Sequence, residues 1–204
     1  AILDALTAEK PAVSFEFFPP KDDEGEEQLW QAIDQLKELE PTFVSVTYGA
    51  GGTSQDRTIR ITERIARESS VLPVGHLTLV GQSTGEVETV LKQYVASGVN
   101  HVLALRGDPV GGPREPWVTH PDGMAHAIEL VELARRVGGL EVGVAAFPEG
   151  HPDADGLELD ADVLVAKAEA GATFAITQLF FRASDYFGLV DRVRARGSDL
   201  PIVP

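Results

Sequence analysis

Short apolar runs recur along the chain at intervals of about thirty residues, each followed by a longer amphipathic stretch, and this alternation dictates a parallel sheet wound with helices. The strand-like runs cover 12–17, 43–47, 72–79, 101–105, 142–147 and 174–179, and 201–203 opens a seventh. Between them apolar residues step by three and four: Leu29, Ile33, Leu36 and Leu39; Ile61 and Ile65; Val87, Val90, Leu91 and Tyr94; Ile128, Val131 and Leu133; Val163, Leu164 and Ala168. Several strands read as nearly unbroken apolar runs, as strands do when helices cover one face and a core the other.

Two architectures satisfy this pattern, an open doubly wound sheet and a closed barrel. The polar residues choose between them. Nearly every strand ends in a polar or charged group: Glu16, Thr47, His76 with Thr78, Arg106 with Asp108, Glu149 with His151, and Gln178. A barrel converges the C-terminal ends of all its strands on one site, whereas an open sheet gathers its ligand contacts at a switch point and needs fewer such ends. The expected fold is therefore α/β, a (β/α)₈ TIM-type barrel. Residues 1–204 are read as a single barrel domain covering about the first six βα units and the start of strand seven. A whole barrel takes about 250 residues. The chain begins without Met and ends at Leu200-Pro201-Ile202-Val203-Pro204, so it is expected to be C-terminally incomplete.

Composition removes several function classes. The net charge of -15 argues against a nucleic-acid surface, which carries basic patches. With no cysteine there is no disulfide, thiolate nucleophile or cysteine-ligated metal. No apolar run reaches membrane-spanning length and no signal segment opens the chain, so a cytoplasmic protein is expected. The histidines, His76, His101, His120, His126 and His151, show no HExxH or other ligand spacing, and no metal site is proposed. His101 opens a strand and His126 falls in a helix, which gives both a structural or solvated role.

The strand ends carry the chemistry. In Ser14-Phe15-Glu16-Phe17-Phe18-Pro19-Pro20 side chains alternate, so Phe15 and Phe17 can pack under helices while Glu16 points into the barrel mouth. Buried among aromatics, such a carboxyl would be raised and could serve as a general acid; a Glu paired with a basic barrel residue is the even alternative. In Ser45-Val46-Thr47-Tyr48-Gly49-Ala50-Gly51-Gly52-Thr53-Ser54 the glycines permit close backbone approach, and Thr53 or Ser54 can cap the next helix. It lacks the Lys-Ser/Thr of a P-loop, and a plain tight turn is the other reading. Leu105-Arg106-Gly107-Asp108-Pro109 sets a permanent cation and a carboxylate at the rim, to contact a polar heterocycle and its phosphate tail or simply each other. The loop after it, 110–121, is long and rich in Gly and Pro, as site lids often are. Gln178 offers donor and acceptor to the amide edge of a pterin or flavin, or is satisfied by backbone. Lys167, read alone, is a solvated charge.

Taken in order, Ser-Phe-Glu-Phe-Phe-Pro-Pro, Val-Ser-Val-Thr-Tyr-Gly-Ala, Gly-His-Leu-Thr, Leu-Arg-Gly-Asp, Pro-Glu-Gly-His-Pro and Ala-Ile-Thr-Gln-Leu-Phe-Phe closely resemble bacterial methylenetetrahydrofolate reductases across essentially the whole chain. The resemblance implies an FAD-containing barrel in which NADH, or NADPH, reduces the flavin. The flavin then reduces 5,10-methylenetetrahydrofolate to 5-methyltetrahydrofolate, a step of one-carbon metabolism and methionine synthesis. It further implies that Glu16 is the catalytic acid, that Asp108 is the carboxylate near the flavin and pterin rings, and that Gln178 contacts the pterin. Thr47, Tyr48, Ala50, His76, Arg106, Gly107, Asp108, His151, Ala154, Asp160 and Lys167 match FAD-contacting positions. The implied partner is the small-molecule folate substrate, with neither nucleic acid nor membrane, and a homo-oligomer is expected. Phe147, Val163 and Ala166 depart from the family pattern, which has Tyr, Asn and Arg there. The rival readings are a catalytically silent folate- or flavin-binding barrel, a relative without FAD that uses another hydride donor, and a flavin-free pterin methyltransferase barrel.

Overall fold

A computed structural model describes residues 2, 4, 12–48, 52–109, 111–112 and 115–204, apart from the side chains of 52–55. Among these, seven strands alternate with six α-helices: β1 (Ser14–Phe17), α1 (Asp23–Leu36), β2 (Phe43–Val46), α2 (Gly52–Glu68), β3 (Pro73–Leu77), α3 (Thr84–Ala96), β4 (His101–Ala104), α4 (Ala127–Val137), β5 (Glu141–Ala146), α5 (Leu157–Ala170), β6 (Phe174–Thr177), α6 (Ala183–Ala195) and β7 (Ile202–Val203). Every neighbouring pair is parallel, and the strands lie side by side in chain order. A doubly wound sheet would reverse its order at a switch point, and this one does not. Crossovers of one hand between sequential strands put all the helices on the same face, and the sheet curls with the other face inward. The architecture is the α/β TIM-barrel type.

Local chemistry sets the helix starts. Asp22 accepts the Gly25 N–H at 2.8 Å ahead of α1, whose first turn carries Asp23, Glu24 and Glu26 against the positive end of the helix dipole. Ser83 and Glu86 form a reciprocal capping box at α3. Glu129 accepts the N–H groups of Ala125 and His126, which places His126 just before α4 rather than within it. Helix α2 begins at Gly52, so Thr53 and Ser54 lie inside it and do not precede it as caps.

The two-residue period of the strands divides them into two faces. Outward residues such as Val44, Val46, Leu77, Val102, Ala104, Val142 and Val144 pack under the helices with Ile61, Ile65, Leu91 and Leu130. Phe15 and Phe17 join them, as the sequence predicts. Inward residues form a separate lumen cluster of Phe43, Val74, Leu103 and Phe174, which Ile2 also enters. Leu39 and Val163 break the expected pattern by standing exposed. Helix α1 gives way at Lys37 to a tighter 3₁₀ turn that rotates Leu39 off the apolar stripe. In α5 the buried positions are Ala161 and Leu164, and Val163 falls on the other side.

Two glycines make room for the largest core side chains. On the outer face a Cβ at Gly75 would lie 2.8 Å from the Tyr94 ring; in the lumen one at Gly143 would lie 2.5 Å from Phe174. Gly143→Ala should therefore destabilise by about 1–3 kcal/mol, the usual cost of overpacking. Urea unfolding measures it, and adding Phe174→Leu should recover part of the loss. An unchanged midpoint would show that the lumen is loosely filled.

Two histidines are buried on the inward face. His101 lies at the start of β4 with its Nε2 3.3 Å from Glu141 Oε2 across the β4–β5 register; burial lowers it, against the pull of that carboxylate. His76, on β3, is pushed down to about 4 by burial. A base held neutral in the fold and charged in the unfolded chain takes up its proton preferentially on unfolding. Its contribution to stability is therefore complete above about pH 6.5 and is lost as pH falls toward 4. The loss expected from His76 is about 3 kcal/mol, and urea unfolding at pH 7 and pH 4 should show a smaller difference in His76→Gln. Equal differences in the two proteins would mean that His76 is charged or solvated in the fold.

Candidate active site at the C-terminal strand ends

The inward parity of β1, β2 and β3 brings three polar side chains together. Glu16 and Ser45 are register partners across β1 and β2, and Ser45 Oγ donates to Glu16 Oε2 at 3.3 Å. His76 Nε2 stands 3.5 Å from the same oxygen. Ser45 and His76 are only 3% and 6% exposed, while the Glu16 side chain is 52% exposed. The expected burial of Glu16 among aromatics therefore does not occur. Phe15 and Phe17 face the helices, and the carboxyl opens onto a cleft. Neither does Glu16 pair with an Arg or Lys among the described residues; its ionisable neighbour is the neutral His76.

That cleft, about 530 Å³ in volume, is lined by Glu16, Thr177, Gln178, Leu179, Phe180 and Pro204. The edges of the curled sheet thus face each other across it, with Glu16 from one side and the end of β6 from the other. The Gln178 carboxamide oxygen accepts the Leu179 N–H at 2.8 Å, which fixes the amide orientation and turns the NH₂ group away. That NH₂ makes no hydrogen bond among the described residues. Backbone therefore satisfies half of this side chain and leaves the donor half.

A second group forms over β4, β5 and α5. Arg106 pairs with Asp153 at 2.9 Å rather than with Asp108, and its guanidinium lies 5.3 Å from the centre of the Trp117 ring. Asp108 is exposed and makes no ion pair among the described residues. It is not part of the cleft lining. Asp153 also donates its N–H to His151 Nδ1 at 3.0 Å, so a neutral His151 carries its proton on Nε2. The His151 N–H in turn donates to Asp160 at 2.7 Å, the ring meets Phe147 edge-on, and the Ala154 N–H donates to the His151 carbonyl. Lys167 lies one and a half to two turns beyond Asp160 on α5. It is largely buried rather than solvated, its Nζ reaches the Ala145 carbonyl at 3.4 Å, and burial lowers it against the pull of Asp160.

Between the groups, the Thr47 carbonyl accepts the Thr58 hydroxyl, and burial pushes the Tyr48 hydroxyl up to about 12 against its hydrogen bond with Gln82. Gly107 has φ +83°, and a Cβ there would lie 2.6 Å from Val80 and 2.8 Å from Thr78, so only glycine lets this rim pass. Ala50 lies outside the described residues. Sequence reading missed Ser45, Asp153 and Trp117. The inward parity of β2 could have found Ser45, but nothing local marks a pairing 47 residues apart such as Arg106–Asp153.

The donor set fits the FAD that the sequence resemblance implies. His76 Nε2 and Thr78 Oγ1 are buried without hydrogen-bond partners, Gly107 clears the rim, and Arg106 and Lys167 are the cations that would meet its phosphates.

Comparison with known proteins identifies the family. The family described as methylenetetrahydrofolate reductase matches residues 1–204. A 5,10-methylenetetrahydrofolate reductase of Pectobacterium carotovorum subsp. carotovorum is 42% identical over 193 residues, covering 94% of this chain and 62% of that protein. Methylenetetrahydrofolate reductase (NADH) 1 of Arabidopsis thaliana is 38% identical over 204 residues, covering 95% and 34%. The chain thus spans about three fifths of the bacterial relative's length. Among solved structures, a phosphoenolpyruvate phosphomutase from Streptomyces platensis subsp. rosaceus superposes with a TM-score of 0.64 at 13% identity over 98% of this chain and 70% of that one, which speaks for the fold alone. The chain belongs to the methylenetetrahydrofolate reductase family.

Proposed function

We propose that this chain forms the catalytic barrel of a reductase that converts 5,10-methylenetetrahydrofolate to 5-methyltetrahydrofolate with FAD and NADH or NADPH, in one-carbon metabolism and methionine synthesis. The observation that carries the reading is the cleft between Glu16 and Gln178, where a carboxyl held by Ser45 faces an unused amide donor. Bound FAD would supply two-electron transfer between the nicotinamide donor and the folate. NADH as donor is supported by the name of the plant relative.

The residues divide the work. Glu16 passes a proton to a folate nitrogen as the five-membered ring opens, and Gln178 orients the pterin through its NH₂ group. Asp108, exposed at the rim, would be the carboxylate near the flavin and pterin rings. Thr47, Tyr48, Ala50, His76, Arg106, Gly107, His151, Ala154, Asp160 and Lys167 would hold the cofactor. Arg106 and Lys167 would meet its negative charge, and the buried Tyr48 and His76 would keep water from the floor of the site. The reading carries with it a cytoplasmic, homo-oligomeric enzyme. Among the described residues no helix is long and apolar enough to cross a membrane.

The proton assignment divides one substitution between two half-reactions. Glu16→Gln keeps the size of the side chain and removes its transferable proton, a loss that costs about a hundred- to ten-thousand-fold when a positioned general acid is involved. The variant should bind FAD and be reduced by NADH within a small factor of the parent, while reoxidation by methylenetetrahydrofolate falls by at least a hundredfold or so. Stopped-flow absorbance at the flavin band reads both steps. Equal slowing of both would make Glu16 an organiser of the cofactor site, and no slowing of either would remove it from the chemistry. A colourless protein that refuses added FAD yet reduces the folate would instead support the flavin-free alternative.

A further inference from the structure

We propose that Ser45 and His76 are positioning residues for Glu16: together they grip one carboxyl oxygen, Oε2, and leave the other, Oε1, to carry the proton delivered to the substrate. The inference rests on the functional reading above and deepens it, since there Ser45 only holds the carboxyl and His76 is assigned to the cofactor.

Three observations support it. Both groups approach the same oxygen, Ser45 Oγ at 3.3 Å and His76 Nε2 at 3.5 Å, and both come from the protein side, being almost fully buried. The carboxyl itself is half exposed and borders the cleft. His76 Nε2 makes no hydrogen bond and its nearest carboxylate oxygen is Glu16 Oε2 at 3.5 Å; a buried imidazole nitrogen without a partner is costly unless something nearby uses it. Among the described residues His76 is the ionisable group placed against Glu16. The rest of the cleft lining, Thr177, Gln178, Leu179, Phe180 and Pro204, carries no ionisable side chain.

The chemistry follows from what each donor can do. When the Oε1–H bond breaks and its proton moves to a folate nitrogen lone pair, the electron pair stays on the carboxyl group and leaves a carboxylate. The Ser45 O–H, which already donates to Oε2, and an Nε2–H of His76, 3.5 Å from the same oxygen, would stabilise that anion as it forms. A neutral His76 donates from Nε2 only in the tautomer that carries its proton there. Burial disfavours a charged His76, so the group beside Oε2 is a neutral imidazole and not a fixed positive charge. The same two contacts fix the side-chain torsions of Glu16, which its exposure would otherwise leave free to rotate.

The test has two kinetic arms and one spectroscopic arm. In Ser45→Ala, reoxidation by methylenetetrahydrofolate should fall about tenfold or more, the value of one hydrogen bond to a charged group, with flavin reduction by NADH within about twofold of the parent. His76→Gln retains an N–H donor and should keep folate-side activity about tenfold above His76→Leu, which has none. An unchanged folate step in Ser45→Ala, equal slowing of both half-reactions, or equal losses in the two His76 variants would overturn the proposal. The third arm needs no turnover: ¹⁵N NMR of histidine-labelled protein at pH 6–7. His76 should be neutral with its proton on Nε2, and its Nε2–H signal should move in Glu16→Gln. A bare Nε2, or a signal indifferent to Glu16→Gln, would also overturn it. Should the enzyme fail to reduce the folate at all, the NMR result still decides whether the cradle exists, which separates failure of the cradle from failure of the reductase reading.

Discussion

The parallel pairing of β1 with β2 and of β2 with β3 sets the two-residue phase of the inner face, and every inward side chain inherits that phase. Glu16 lies across from Ser45 because their strands are in that register, and His76 follows on the third strand. A slip of one residue in β1 would turn Glu16 under the helices and put Phe15 or Phe17 into the mouth. The outer apolar face forbids it: Phe15 and Phe17 pack against Leu29, Ile33, Val44 and Val46. The hydrophobic packing that stabilises the sheet is therefore also what aims the carboxyl.

Much of this arrangement was legible in the sequence, for a physical reason. Strand and helix periods differ, so 43–47 and 174–179 read as strands and the Val87, Leu91, Tyr94 stripe as a helix without tertiary knowledge. Polar residues at successive strand ends distinguished a curled sheet from an open one. The environment of each polar residue was much less legible. Glu16 reads as buried when its aromatic neighbours are taken as its surroundings, yet alternation sends those aromatics to the opposite face. Arg106 and Asp108 look like a pair because they are close in sequence, and the actual partner of Arg106 is Asp153 on another loop. Lys167 looks solvated on an acidic helix, but α5 turns it toward the sheet and buries it.

The two groups at the rim differ in a way that suits different tasks. Around Glu16 the polarity is neutral and buried, from a hydroxyl and an uncharged imidazole, so a proton can leave and return without a fixed charge opposing either move. Around Arg106 the residues form a charged chain through Asp153, His151 and Asp160, partly solvated, where exchange of one anion for another costs little. The first arrangement favours chemistry and the second favours holding a phosphate-bearing ligand. Trp117, from the loop after β4, lies against the Arg106 guanidinium of that second group.

The proposed folate site gathers the C-terminal strand ends, with Glu16 and Gln178 on opposite walls. A crystal structure of the protein with FAD and 5-methyltetrahydrofolate tests it most directly. The account requires the pterin to lie in the cleft within hydrogen-bond reach of the Gln178 amide, with a carboxyl oxygen of Glu16 directed at a folate nitrogen. Folate bound elsewhere, or seated in the cleft with Glu16 turned away from it, would contradict the account.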